Sequence, residues 1–296
     1  QYRLALEADP KHVATHHSYG FILSEMGLLE NAEAHYKLAL AVNPKHLDTL
    51  CSYGVLLSKM GRLKEAEEQY RKALEITPES AVVHSNYGLL LSRIGGRQAE
   101  AEEQYRKALE ANPGDTDVHY NYGLLLSEMG RLEEAEKQYK LVLSADPGHV
   151  DAHSKYGLFL SERGDLKKAE KHYKLALVAN PKHVVTHYNY GKLLEQIGHQ
   201  EKAEKHYILA LEADPKNVAI RCTYGLLLSE MGRMYEAEEQ YKLALAADPK
   251  SLAAHYSYGL LLSEIGKMYE AEKQYRFALE IDPKNVAIRY SYGLLL

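Results

Sequence analysis

Apolar residues recur along the chain at spacings of three and four, and the whole pattern returns every 34 residues. In residues 119–152, HYNYGLLLSEMGRLEEAEKQYKLVLSADPGHVDA, the first half places Tyr122, Leu125, Leu126 and Met129 on one face of a helix. Gly130 follows, a residue that takes the left-handed conformation cheaply and so ends a helix. The second half opens on Glu133 and Glu134, favourable at a helix N-terminus, and sets Ala135, Tyr139, Val142, Leu143 and Ala145 on a second stripe. Asp146-Pro147 closes it, because proline bars its predecessor from helical geometry. The pattern predicts an antiparallel helical hairpin that cannot bury both stripes alone and leans on its neighbours.

Everything else is this unit again. The nine prolines, Pro10 to Pro283, stand 34 residues apart except for one gap of 35, and seventeen of the twenty glycines fall at two fixed places. The extra residue lies at Gly95-Gly96-Arg97, in the predicted turn, outside the packed stripes. Residues 1–12 are the tail of one unit, residues 13–286 hold eight full units, and residues 287–296 begin another. The expectation is one all-α array over residues 1–296, a solenoid with a 34-residue period. Neither end carries a polar capping helix, so a window from a longer array is expected.

Composition narrows the function. The net charge of −5 comes from interspersed signs, which gives no footprint for nucleic acid, and no apolar run spans a bilayer. Cys51 and Cys222 occupy the same place in units five apart, and no Asn-x-Ser/Thr sequon occurs, which points to free thiols and a cytoplasmic setting. Glu–Lys/Arg pairs four apart (Glu133–Lys137, Glu136–Lys140, Glu67–Arg71, Glu238–Lys242) are expected to keep the second helices soluble.

With Gly123, Leu126, Gly130, Ala135, Tyr139 and Pro147 in this order, each unit resembles the tetratricopeptide repeat, and the resemblance covers the whole chain. Two departures are systematic. The family's early tryptophan is mostly histidine (His16, His84, His119, His153, His187, His255), expected to pack between helices. Its leucine before the glycine is tyrosine in nine copies, Tyr19 to Tyr292, a trade in volume against a later leucine. Arg163, where a sister copy has Met129, is expected to be a local weak point.

The resemblance implies a right-handed superhelix whose first helices line a concave groove. Its implied inward positions include Tyr120, Tyr188, Tyr256 and Tyr290, three residues before the fixed glycine, and Leu89, Leu124, Leu158, Leu226 and Leu260, one after it. Serines stand four after it, and acids such as Glu128, Glu162 and Glu230 five after it. A strip of tyrosine and leucine with a polar rim suits a peptide or an amphipathic helix. Asn86, Asn121 and Asn189, two before the glycine, resemble part of the asparagine ladder of O-linked N-acetylglucosamine transferases, with serine, threonine or Lys155 elsewhere. The lysine/asparagine clamp of chaperone-binding members is not reproduced, since Lys192 is the one inward lysine.

Histidine pairs four apart (His12/His16, His149/His153, His183/His187) can chelate a metal, but the first of each stands at an expected helix cap and no Glu or Cys completes the set. No metal or cofactor is expected. Catalysis is not expected either, for there is no phosphate loop, nucleophile elbow or paired carboxylate outside the charge ladders. The expected function is a non-enzymatic scaffold holding a protein or peptide in its groove. The alternatives are a structural array that self-associates head to tail through its ends, and a repeat arm of an enzyme.

Overall fold

A computed structural model describes residues 1–296 and every side chain except that of Arg3. All its helices are α-helices, and they form two compact units, residues 1–147 and 148–296. The first holds α1 (Tyr2–Ala8), α2 (Val13–Glu25), α3 (Leu29–Val42), α4 (Leu47–Lys59), α5 (Leu63–Ile76), α6 (Ala81–Arg93), α7 (Gln98–Ala111), α8 (Thr116–Glu128) and α9 (Leu132–Ala145). The second holds α10 (Val150–Glu162), α11 (Leu166–Ala179), α12 (Val184–Gln196), α13 (Gln200–Ala213), α14 (Val218–Glu230), α15 (Met234–Ala247), α16 (Leu252–Glu264), α17 (Met268–Ile281) and α18 (Val286–Leu295). Even numbers are first helices of a hairpin, odd numbers second helices. Within each unit, a hairpin's two helices pack on each other and the second packs on the next first helix.

The punctuation acts as its chemistry dictates. Gly130 sits at φ +73°, and the Arg131 N–H donates to the Leu126 carbonyl at 2.9 Å, closing the helix end in a left-handed turn. His12, His46 and His149 turn back to accept from the backbone N–H three residues on, as Asp115, Asn217 and Ser251 do. His183 differs: its ring makes no cap bond to the backbone, meets the Thr186 hydroxyl at 2.7 Å as His12 and His46 meet theirs, and also meets the Asp151 carboxylate at 3.2 Å. Two expectations fail. Ala145 is exposed, one helical turn beyond the buried stripe. The Met129 position is a helix end and not a core position, and Arg163 lies exposed there with its guanidinium 5.5 Å from the Phe159 ring.

The core is a tyrosine laid on a glycine, repeated. Tyr36, Tyr70, Tyr105, Tyr139, Tyr173, Tyr207, Tyr241 and Tyr275 are at most 1% exposed. Each ring lies against the fixed glycine of its hairpin's first helix; a Cβ on Gly191 would stand 2.6 Å from Tyr207 Cε1. The glycine is there to admit a ring.

The tyrosine before that glycine does more than fill volume. Its hydroxyl reaches back to a glutamate on the preceding second helix: Tyr53–Glu33, Tyr87–Glu67, Tyr122–Glu102, Tyr190–Glu170, Tyr224–Glu204, Tyr258–Glu238 and Tyr292–Glu272, at 2.7–3.0 Å. An arginine just before the next second helix grips the same carboxylate, as Arg62 does Glu33, Arg97 Glu67, Arg131 Glu102 and Arg233 Glu204, with Lys267 on Glu238. Leucine could not make this staple. Three of the four expected Glu–Lys/Arg pairs four apart also close, at Glu136–Lys140, Glu67–Arg71 and Glu238–Lys242, and the last two glutamates are staple nodes that side chains largely cover.

The histidine column packs as expected, with His16, His84, His153, His187 and His255 buried and His119 half-buried. His187 Nε2–H donates to the Pro181 carbonyl at 2.9 Å, so its Nδ1 accepts, here from His206 Nδ1–H at 2.8 Å. His153 and His172 meet likewise at 2.9 Å, whereas His84, His119 and His255 meet the amides of Gln104, Gln138 and Gln274. Burial, then the facing histidine, lowers His172 and His206 to about 4, with Lys171 adding to the first. Both are therefore neutral in the fold while the unfolded chain takes protons below about pH 6.5. Stability is full above that pH and is lost as pH falls towards 4. Melting temperatures measured from pH 7 to 4.8 are expected to fall, and H172Q/H206Q, which copies the sister repeats, to flatten the decline. An equal decline in both proteins would refute this.

Candidate functional site

The candidate residues come from the first helices, whose buried face (Tyr122, Leu125 and Leu126 in α8) fixes which side chains remain free. In the first unit Leu89 is 41% exposed, Tyr120, Leu124, Asn86 and Asn121 are half-buried, and Glu128 is exposed. In the second, Leu226 and Leu260 are 50% and 42% exposed, Leu158, Tyr188 and Tyr256 half-buried, and Tyr290, Glu162 and Glu230 exposed, whereas Asn189 is nearly covered. Inside the first unit a cavity of about 510 Å³ opens across α2, α4 and α6, lined among others by His17, Phe21, Cys51, Val55, Val82 and Asn86.

The inner tyrosines are packed on one face. Tyr188 and Tyr256 lie 6.2 and 6.3 Å from Tyr207 and Tyr275, and the Lys192 ammonium stands 5.6 Å from the Tyr188 ring. Each also reaches the next first helix, Tyr188 to the Thr223 hydroxyl and Tyr256 to that of Ser291, both at 3.2 Å, as His17 reaches Ser52. These partners are 35 residues apart. The same register sets Cys51 against Asn86, Ser85 against Asn121 and Ser154 against Asn189, so a large inward ring faces serine or threonine and a small one faces asparagine. Cys222 with Ser257 and, in sequence register, Tyr120 with Lys155 are the exceptions. This pairing was available in the sequence by comparing columns one repeat apart, and it explains why the asparagine ladder is broken. Among the described residues the Asn86 and Asn121 amides make no hydrogen bond within the protein.

The serine column divides: Ser229 reaches the exposed Glu264 at 3.3 Å and Ser58 accepts from Arg93 at 3.2 Å, but three members turn to the core. Ser92, Ser127 and Ser263 donate to their own helix at 2.9 Å and meet the buried Tyr105, Tyr139 and Tyr275 hydroxyls at 3.1–3.3 Å. Both thiols are free and half-buried, and burial pushes each up to about 11, so neither is a reactive nucleophile. Among the described residues no group of three His, Cys, Asp or Glu could hold a metal ion, and no helix is long and apolar enough to cross a membrane.

Residues 12–79, 95–158, 185–217 and 223–286 each match the tetratricopeptide repeat family. The chain belongs to that family, whose members are interaction scaffolds. No curated protein matches it in sequence. Among solved structures it is similar to the APC/C hetero-tetramer Cut9–Hcn1, at 14% identity and a TM-score of 0.68 over 90% of this chain and 52% of that one. It is also similar to a tetratricopeptide repeat protein from Parabacteroides merdae, at 19% identity and a TM-score of 0.64 over 84% and 98%. The Pseudomonas aeruginosa pilF structure shares 23% identity at a TM-score of 0.62 over 74% and 97%. The chain thus spans about half the length of the first of these, and at such identities the likeness concerns the fold.

Proposed function

We propose that the first-helix face of each unit holds an extended peptide segment of a partner protein, without catalysis. The observation that carries this is the alternation of half-exposed apolar side chains (Leu89, Leu226, Leu260) with half-buried tyrosines and with asparagine amides left open opposite small residues. A primary amide offers one acceptor and two donors, which matches a main-chain peptide group, while leucine and tyrosine supply apolar contact at little entropic cost. Glu128, Glu162 and Glu230 at the helix ends favour a segment carrying basic residues.

Panning a displayed random peptide library on the whole chain is expected to yield peptides that the protein with Tyr120, Tyr188 and Tyr256 all changed to alanine binds at least about tenfold more weakly, one or two anchors' worth of affinity. Circular dichroism should show that triple variant still folded. Selected peptides that bind it undiminished, or no selected peptide at all, would refute the reading.

A further inference from the structure

In a chain of near-copies each repeat is the control for the next, and α11 departs from its sisters in three ways at once. Every other second helix from α3 to α17 carries more acids than bases, whereas α11 carries Lys167, Lys168, Lys171 and Lys174 against Glu170. All seven sisters hold an acid in the first turn and α11 holds none. Val178 is 79% exposed where four sisters have Glu75, Glu110, Glu212 and Glu280.

Folding explains one of these changes: Asp165 stands at the N-cap where five sisters have arginine or lysine, so the Asp165–Lys168 pair is the one four of them make with the signs exchanged. It does not explain the others. Lys167, left without a carboxylate at the positive end of a helix, opposes its dipole, and an exposed valine in place of glutamate gains no buried area. Lys168 meets Asp165 at 3.2 Å and Lys174 meets Glu170 at 2.7 Å, while Lys167 and Lys171, both exposed, have no carboxylate in ion-pair range among the described residues. Spacings of four, four and three put Lys167, Lys171, Leu175 and Val178 on one face, with Leu175 39% exposed. That face runs about 17 Å, cations at one end and apolar side chains at the other.

We infer that the outer face of α11 docks a second protein segment, acidic and amphipathic, whose carboxylates meet Lys167 and Lys171 and whose apolar anchor covers Leu175 and Val178. The surface is independent of the first-helix face. One valine and one leucine are too little apolar area to hold a bilayer surface, which favours a peptide over a membrane.

The test is a fluorescein-labelled helical peptide of sixteen residues, three glutamates and then two leucines on one face, titrated with the whole chain and read by anisotropy. Saturable binding is expected. Lys167→Glu with Lys171→Glu, and separately Val178→Glu, should each weaken it by about tenfold or more. Both variants should melt at or above the wild-type temperature, since several sister helices carry glutamate at these places (Glu133, Glu68 and Glu75 among them), so lost binding cannot be blamed on unfolding. The triple tyrosine variant of the groove should bind this peptide unchanged. The inference falls if wild type shows no saturable binding, if the α11 variants bind as well as wild type, if the groove variant loses binding, or if phosphatidylserine vesicles are bound in preference to the peptide with the same sensitivity.

Discussion

Changing Tyr70 to alanine is expected to lower the stability of the first unit by about 4 kcal/mol, the usual loss for deleting a buried aromatic ring. Tyr70 is 1% exposed, lies on Gly54 so closely that a Cβ there would stand 2.7 Å from its Cε1, and faces Tyr87 across 6.0 Å. Neither backbone can collapse into the space, because each helix is held from its other side by a further repeat. Urea denaturation followed by circular dichroism measures the effect. A loss below about 1.5 kcal/mol would mean that the ring is not the keystone of its hairpin. The converse change, Gly54→Ala, presses a methyl into the same ring and should cost about 1–3 kcal/mol.

Changing Glu67 to alanine should cost about 2–3 kcal/mol, because it leaves three partners unanswered in a partly desolvated place. The carboxylate accepts from the Tyr87 hydroxyl at 2.8 Å, from Arg97 at 2.6 and 3.0 Å, and from Arg71 at 2.7 Å, with its side chain 14% exposed. The Arg97 hydrogen bonds, against an opposing cost of burial and helped by Tyr87, hold Glu67 at about 2. A folded value below that of the unfolded chain means stability that is present above about pH 4.5 and lost as pH falls towards 2. A double-mutant cycle with Arg97→Ala should return a coupling of about 1–2 kcal/mol, whereas the exposed Lys107–Glu103 pair should return less than about 0.5. Equal couplings would show that the staple is no more than a surface ion pair.

Much of this was legible before the structure. The fixed glycines, prolines and apolar spacing announce hairpins of definite length, because helix ends and helix faces are local properties. The insertion at Gly95-Gly96-Arg97 falls between α6 and α7, as a turn should. The histidine column could be assigned to the helix interface from its place alone.

Other features needed neighbours. Glu67 and Glu133 look alike in sequence, yet Glu67 is a covered node that Tyr87 and Arg97 reach from 20 and 30 residues away. Ser92, Ser127 and Ser263 read in sequence as the edge of a groove, yet Tyr105, Tyr139 and Tyr275 meet them from the second helices. His35, His172 and His206 gave no periodic signal, since glutamine fills their place in other repeats and their protonation is set by burial and by the facing ring, both supplied by the fold.

The chain by itself determined its helices, their lengths, their turns and the period of the array, because these follow from φ preferences and from the spacing of apolar side chains along one strand of backbone. The tertiary structure alone decided which polar side chains are spent on holding repeats together and which are left for a partner. That choice depends on distances across helices, and no single repeat contains them.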